Sequence, residues 1–233
     1  MQNLVLLHGL LCDASIWAHQ SRALATSANV VVPVYRSASR LEEMAVTSLG
    51  SVDGKMAVAG HSMGARVALE MWRAAPERIT RLALFDFGVG GVAEGEPEKR
   101  KVLTDLAAHQ GIEAVATEWV ASMVKPDRRD DVALVSSLHE MVLRYTPAEH
   151  AGQVAALLNR RDLWPLLPTI TVPTLIAVGR QDPWRSVEHH EDIAAAIPGA
   201  RLAVIEDCGH MAPAEQPDVV LDLLRGWLGT GPG

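Results

Sequence analysis

Six short runs of uniformly apolar residues, each followed by a longer amphipathic stretch, constrain this chain more than any other feature. The runs occupy residues 3–8, 29–34, 55–60, 81–87, 173–179 and 200–206. None alternates apolar with polar residues, as a strand with one wet face would. Continuous apolar runs of this length suit strands covered on both faces, the condition of a parallel sheet. The stretches at 15–26, 39–49, 62–74, 187–196 and 216–228 carry helical periodicity. Strand–helix alternation predicts a doubly wound α/β fold with helices on both faces of the sheet.

The alternation breaks once. About 85 residues separate the fourth run from the fifth, far more than a crossover helix needs. Helical patterns at 96–110, 112–123, 129–145 and 147–158 fill this interval, behind a glycine-rich opening at Gly88, Gly90, Gly91 and Gly95 that suggests a hinge. We therefore expect a core formed by 1–88 and 168–233, and a small helical cap plus one crossover helix in 89–167.

Composition narrows the functional classes. Lys and Arg number 21 against 28 Asp and Glu, a net charge of −7 without a clustered basic stretch, which excludes a nucleic-acid reader. No apolar run approaches the roughly 20 residues of a membrane helix. Residues 1–8 lack the basic start of a signal peptide. Cys12 and Cys208 cannot form a disulfide framework, so a cytoplasmic protein, monomer or homodimer, is expected. There is no H-E-x-x-H, and His189-His190 lacks a ligand set, so neither metal nor organic cofactor is expected. Trp (6) outnumbers Phe (2) and Tyr (2), a bias that composition does not explain.

The chemistry concentrates after the third run. Gly60-His61-Ser62-Met63-Gly64 matches G-x-S-x-G between a strand and a helix. In that context the serine occupies a tight turn, its hydroxyl exposed above a helix N-terminus. A serine capping an ordinary helix is the alternative. A serine hydroxyl needs a base, and His210, after the last strand, is the candidate. His189 and His190 are its rivals; His8 and His61 flank motif turns and read as structural. The base needs a carboxylate to hold its tautomer. Asp182, after the fifth strand, is preferred over Asp86 at the end of the fourth, and over Asp207. The amides of Met63 and of Leu10, in His8-Gly9-Leu10-Leu11, are the candidate oxyanion donors.

His8-Gly9, Gly60-His61-Ser62-Met63-Gly64, Gly179-Arg180-Gln181-Asp182 and Gly209-His210, in this order, resemble the α/β-hydrolase superfamily. Ala75-Pro76-Glu77-Arg78-Ile79 and Glu215-Gln216-Pro217 share the resemblance, and His8-Gly9-Leu10-Leu11-Cys12-Asp13 with Trp17 is similar to a compact bacterial esterase-like subgroup. The resemblance implies hydrolysis of an ester, thioester, amide or carbon–carbon bond without metal or organic cofactor. It also implies a sheet trimmed to six strands in the order second, first, third, fourth, fifth, sixth, with Leu10 and Ser62 on either side of the switch point. Where many relatives have a glycine-rich segment beginning with Asp, this chain has Val34-Tyr35-Arg36-Ser37.

Trp119, Met123 and Trp164 in the insertion, with Trp17 and Trp184 near motif loops, are the candidate lining of a pocket for a small apolar carboxylic ester. Arg36, Arg144 and Arg180 would serve a carboxylate-bearing substrate, or form surface salt bridges. Two further functions compete with ester hydrolysis. One is carbon–carbon bond hydrolysis or a lyase reaction on the same three residues; the other is a non-catalytic ligand receptor.

Overall fold

The computed structural model describes residues 1–229; positions 230–233, the end of the expected 168–233 segment, lie outside the described residues. The six runs form β1 (Gln2–Leu7), β2 (Ala28–Val31), β3 (Met56–His61), β4 (Ile79–Phe85), β5 (Thr174–Gly179) and β6 (Arg201–Ile205). They pair in parallel as one sheet, in the order β2-β1-β3-β4-β5-β6. Every residue of β3 and β5 is buried, as their unbroken apolar character requires. The outer strands β2 and β6 are shorter and partly open.

Side chains leave the strands on alternate sides. Leu4, Leu6, Ala59, Phe85 and Ala177 enter one core, whereas Val5, Leu7, Val58, Leu84 and Ile176 enter the other. Helices α1 (Ala18–Leu24) and α10 (Pro217–Leu228) cover the first face. Helices α2 (Leu41–Leu49), α3 (Met63–Ala74) and α8 (Val187–Ala196) cover the second. The pairs Leu7↔Gly60, His61↔Phe85 and Gly179↔Ile205 bring the carboxyl ends of five strands to one edge. The loops after those strands therefore converge.

Helices α4 (Glu96–Gln110), α5 (Ile112–Met123), α6 (Val132–Leu143) and α7 (Pro147–Leu158) occupy the interval between β4 and β5. α4 packs on α5 and α7, and α5 on α6. Trp119, Val120, Leu138 and Met141 extend the first core, while Ala156 and Leu157 of α7 join the second. Side chains of the four helices thus share the two cores that the sheet divides. The glycine-rich opening is anchored rather than loose: the carbonyls of Gly90 and Gly91 accept hydrogen bonds from Arg66 and Arg160. No helix among the described residues is long and apolar enough to cross a membrane. A short helix, α9 (Ala212–Glu215), follows the sixth-strand loop.

Candidate active site

Ser62 joins β3 to α3 with φ 55° and ψ −116°, a backbone region that costs a residue with a side chain of order 1–3 kcal/mol. Two glycines make the turn possible. A Cβ on Gly60 would strike the carbonyl of Gly64, and one on Gly64 would strike the carbonyl of Leu7. β1, β3 and α3 therefore approach more closely there than side chains allow.

His210, on the loop after the outer strand β6, reaches this serine: Nε2 lies 2.9 Å from Ser62 Oγ, and Nδ1 2.7 Å from Asp182 Oδ2. The Asp182 side chain is fully buried. Its other oxygen accepts the amides of Trp184 at 2.7 Å and Arg185 at 3.1 Å. Burial alone would raise this carboxyl, but His210 and the two amides outweigh it and hold it below the usual carboxylate range. Asp86 goes the other way. It accepts the Gly179 amide at 2.8 Å through Oδ1, and its Oδ2 has no partner among the described residues. Burial and the neighbouring Asp182 charge push it well above the usual range. Asp86 is thus bound to the backbone of β5 rather than to His210, and Asp207 pairs with Lys125 and Arg128.

The remaining motif histidines support the frame. His61 Nε2 donates to the carbonyl of His210 at 2.7 Å, and burial followed by the His210 charge push His61 down to about 3. His8 stacks on Tyr35 at 4.2 Å between ring centroids, and Tyr35 donates to the His8 carbonyl at 2.6 Å. Tyr35 thus braces the turn after β1 through both its ring and its hydroxyl. His190 donates from Nδ1 to the Ser186 carbonyl and accepts the Phe87 amide at 3.1 Å, so both of its nitrogens are engaged.

Leu10 and Met63 both border the cavity above Ser62. The Leu11 amide is taken by Gln153 Oε1 at 2.9 Å and the Cys12 amide by the Gly9 carbonyl at 3.2 Å. The Leu10 amide has no acceptor among the described residues. Met63 opens α3, in the turn whose amides lack intrahelical acceptors. Cys12 and Cys208 are free, buried thiols, pushed up by burial.

The cavity measures about 410 Å³ and reaches from Ser62 and His210 to the inserted helices. Trp119, Met123 and Trp184 line it, as the sequence predicts. Trp17 and Trp164 lie outside it. Trp17 is fully buried beneath the sheet edge, its indole N–H on the Leu7 carbonyl and its ring edge-on to Phe85, because its short loop folds back under β1. Trp164 opens a 3₁₀ turn (Trp164–Thr169) behind α8 and packs against His189. The arginines near the motif loops also point elsewhere: Arg36 pairs with Glu149, Arg144 with Asp13 and Arg180 with Glu206.

The arginines at the cavity are others, namely Arg66, Arg100, Arg160 and Arg185. Spacing was the available signal. Arg66 lies on α3 four residues after Ser62, and Arg185 three residues after Asp182.

Comparisons with known proteins find relatives along nearly the whole chain. A 2-hydroxy-6-oxononadienedioate/2-hydroxy-6-oxononatrienedioate hydrolase of Pseudomonas putida is 28% identical over 96% of this chain and 88% of its own length. Esterase YbfF of Escherichia coli is 22% identical over 97% of this chain and 92% of its own. Among solved structures, a thermophilic esterase from Thermogutta terrifontis with malate bound superposes with a TM-score of 0.89 at 27% identity, covering 98% of this chain and 90% of that one. The enol-lactonase of Burkholderia xenovorans has the same fold, with a TM-score of 0.87 at 22% identity over 98% of this chain and 92% of that one. The alpha/beta hydrolase family profile matches residues 4–223, and the chain belongs to this family of enzymes.

Proposed function

We propose that this enzyme hydrolyses a small carboxylic ester through an acyl-enzyme on Ser62. The observation that carries the reading is the continuous hydrogen-bond path from Ser62 Oγ through His210 to Asp182, opening on a cavity of substrate size. Ser62 Oγ attacks the ester carbonyl as its proton passes to His210 Nε2. The Leu10 and Met63 amides stabilise the oxyanion. The tetrahedral adduct collapses, the carbon–oxygen bond to the alcohol breaks, and the leaving oxygen takes the proton from Nε2. Water then gives a proton to Nε2 and attacks the acyl group. The acid departs and Ser62 regains its proton. Asp182 remains ionised throughout and holds Nδ1–H toward itself. In this reading the helices within 89–167 act as a cap that closes the cavity from above.

The dienedioate hydrolases among the relatives favour a second reading, in which the same residues cleave a carbon–carbon bond next to a carbonyl. A series of 4-nitrophenyl esters of graded acyl length separates the two. Ester hydrolysis predicts burst and steady-state release of nitrophenolate by the native enzyme, and loss of about 10⁴-fold or more in Ser62→Ala. Labelling of Ser62 by a fluorophosphonate with no turnover of any ester would favour carbon–carbon cleavage. Absence of both labelling and turnover would defeat the serine mechanism.

A further inference from the structure

The cavity contains more positive charge than its own carboxylates neutralise. Glu96 takes both Arg100 and Arg160, with nitrogen–oxygen distances of 2.7 and 2.5 Å. Arg66 and Arg185 have no carboxylate within ion-pair distance among the described residues. Arg66 is buried and donates to the carbonyls of Gly90 and Arg161. Arg185 is half-buried and donates to the carbonyl of Trp184 at 3.1 Å. Its side chain packs against Gly88, where a Cβ would come within 2.7 Å of Nε. Burial, then the charges of Arg160 and Arg185, weigh against the charged form of Arg66 and push it down to about 9. Leaving a buried guanidinium beside two others without an anion is costly to the free protein. Such a charge is relieved when an anion enters, and the planar fork of arginine suits two oxygens of one carboxylate.

We propose that Arg66 and Arg185 form a carboxylate-binding pocket within the catalytic cavity, so that the substrate is an ester or lactone bearing a free carboxylate away from the scissile carbonyl. The inference rests on Ser62 as nucleophile for its catalytic meaning, though not for the binding itself. Both arginines are mounted on the catalytic elements: Arg66 lies one helical turn beyond Ser62, and Arg185 is on the loop that holds Asp182. Position of the carboxylate thereby sets position of the carbonyl. Glu94 and Glu96 border the same cavity and oppose two negative charges on one head group, so a carboxylate fits beside the arginines better than a phosphate dianion. Leu10, Leu103, Trp119 and Met123 line the remainder and suit a short hydrocarbon body between the two ends.

The test compares 4-nitrophenyl hydrogen glutarate and adipate with the neutral 4-nitrophenyl butyrate and valerate. The native enzyme is expected to favour the anionic esters at least tenfold in kcat/KM. In Arg185→Gln and Arg66→Lys the ratio of anionic to neutral kcat/KM should fall at least tenfold. A native ratio near one, or a ratio unchanged in both variants, overturns the proposal. A second arm is independent of Ser62 chemistry: adipate should raise the Tm of the Ser62→Ala protein, and lose that effect when Arg185→Gln is added. If no ester is hydrolysed, a surviving adipate shift that needs Arg185 supports the pocket while the esterase reading falls. No adipate shift in Ser62→Ala, or a larger one with inorganic phosphate, overturns the carboxylate assignment.

Discussion

The main-chain N–H of His210 donates to the carbonyl of Met123 at 2.9 Å. Met123 closes α5, and a helix end leaves its last carbonyls without partners. The loops after β5 and β6 supply them, since the Trp184 indole N–H takes the carbonyl of Ser122 at 3.1 Å. Glu215 completes the clamp. Its carboxylate accepts the amides of Lys125, Gly209 and Met211 at 2.9 to 3.0 Å, and so ties the His210 loop to the residue following Val124. Glu215→Gln keeps the shape but turns an amide NH₂ toward main-chain donors. An unsatisfied buried group costs about 1–3 kcal/mol. We expect a lower Tm and a fall in kcat of about ten- to a hundredfold, with KM for a neutral ester nearly unchanged. Steady-state kinetics beside a melting curve measure both.

The two carboxyls near His210 respond oppositely to substitution. Asp182→Asn removes the acceptor that fixes Nδ1–H and should lower kcat by about 10⁴-fold. Asp86→Asn replaces a carboxyl whose folded-state affinity for protons is raised by burial and by Asp182. A raised folded value means the folded chain binds the extra proton, so wild-type stability from this group is lost as pH rises. The Tm of Asp86→Asn relative to wild type should therefore increase between pH 5 and pH 9. A constant difference across that range would sink the assignment.

Acid should destabilise the fold through its buried imidazoles. Burial pushes His8, His150 and His190 down to about 4 and His61 to about 3. The unfolded chain binds these protons below about 6.5, and the folded chain does not until near 4. The unfolded state thus holds more protons in this window, and stability falls as pH falls through it. Neither nitrogen of His150 has a partner among the described residues. His150→Leu should flatten the dependence of Tm on pH between 6.5 and 4, and raise Tm at pH 5.

The elbow glycines are predicted to be intolerant of any side chain. Gly64→Ala drives a methyl into the carbonyl of Leu7, and Gly60→Ala drives one into that of Gly64. Neither obstacle is a flexible side-chain tip, so relief requires a shift of α3 against β1 in the first variant and against β3 in the second. A loss of at least about 3 kcal/mol, or failure to accumulate folded protein, is expected from chemical denaturation. Ala65→Gly, one position further into the helix, should cost only about 1 kcal/mol.

Much of this was readable without coordinates. Uniformly apolar runs identify strands with two covered faces because water is absent on both, and six such runs became six parallel strands. The helix bounds at Glu96–Gln110, Ile112–Met123, Pro147–Leu158 and Val187–Ala196 follow from helical periodicity. Ser62, Asp182 and His210 were readable because each occupies a loop after a strand, and parallel strands present such loops at one edge. These are local signals, carried by spacing along the chain.

Side-chain direction across distant elements is not local, and there the tertiary structure decided. Trp17 stands beside a motif loop in sequence, yet its indole turns under β1 to the Leu7 carbonyl. Asp86 and Asp182 both follow strands, and only packing determines that one meets an amide of β5 and the other His210. Arg36, Arg144 and Arg180 found acidic neighbours on other elements, whereas Arg66 and Arg185 were left facing the cavity. Periodicity determines which face of an element is apolar; which charge remains uncompensated depends on what the rest of the chain brings to it.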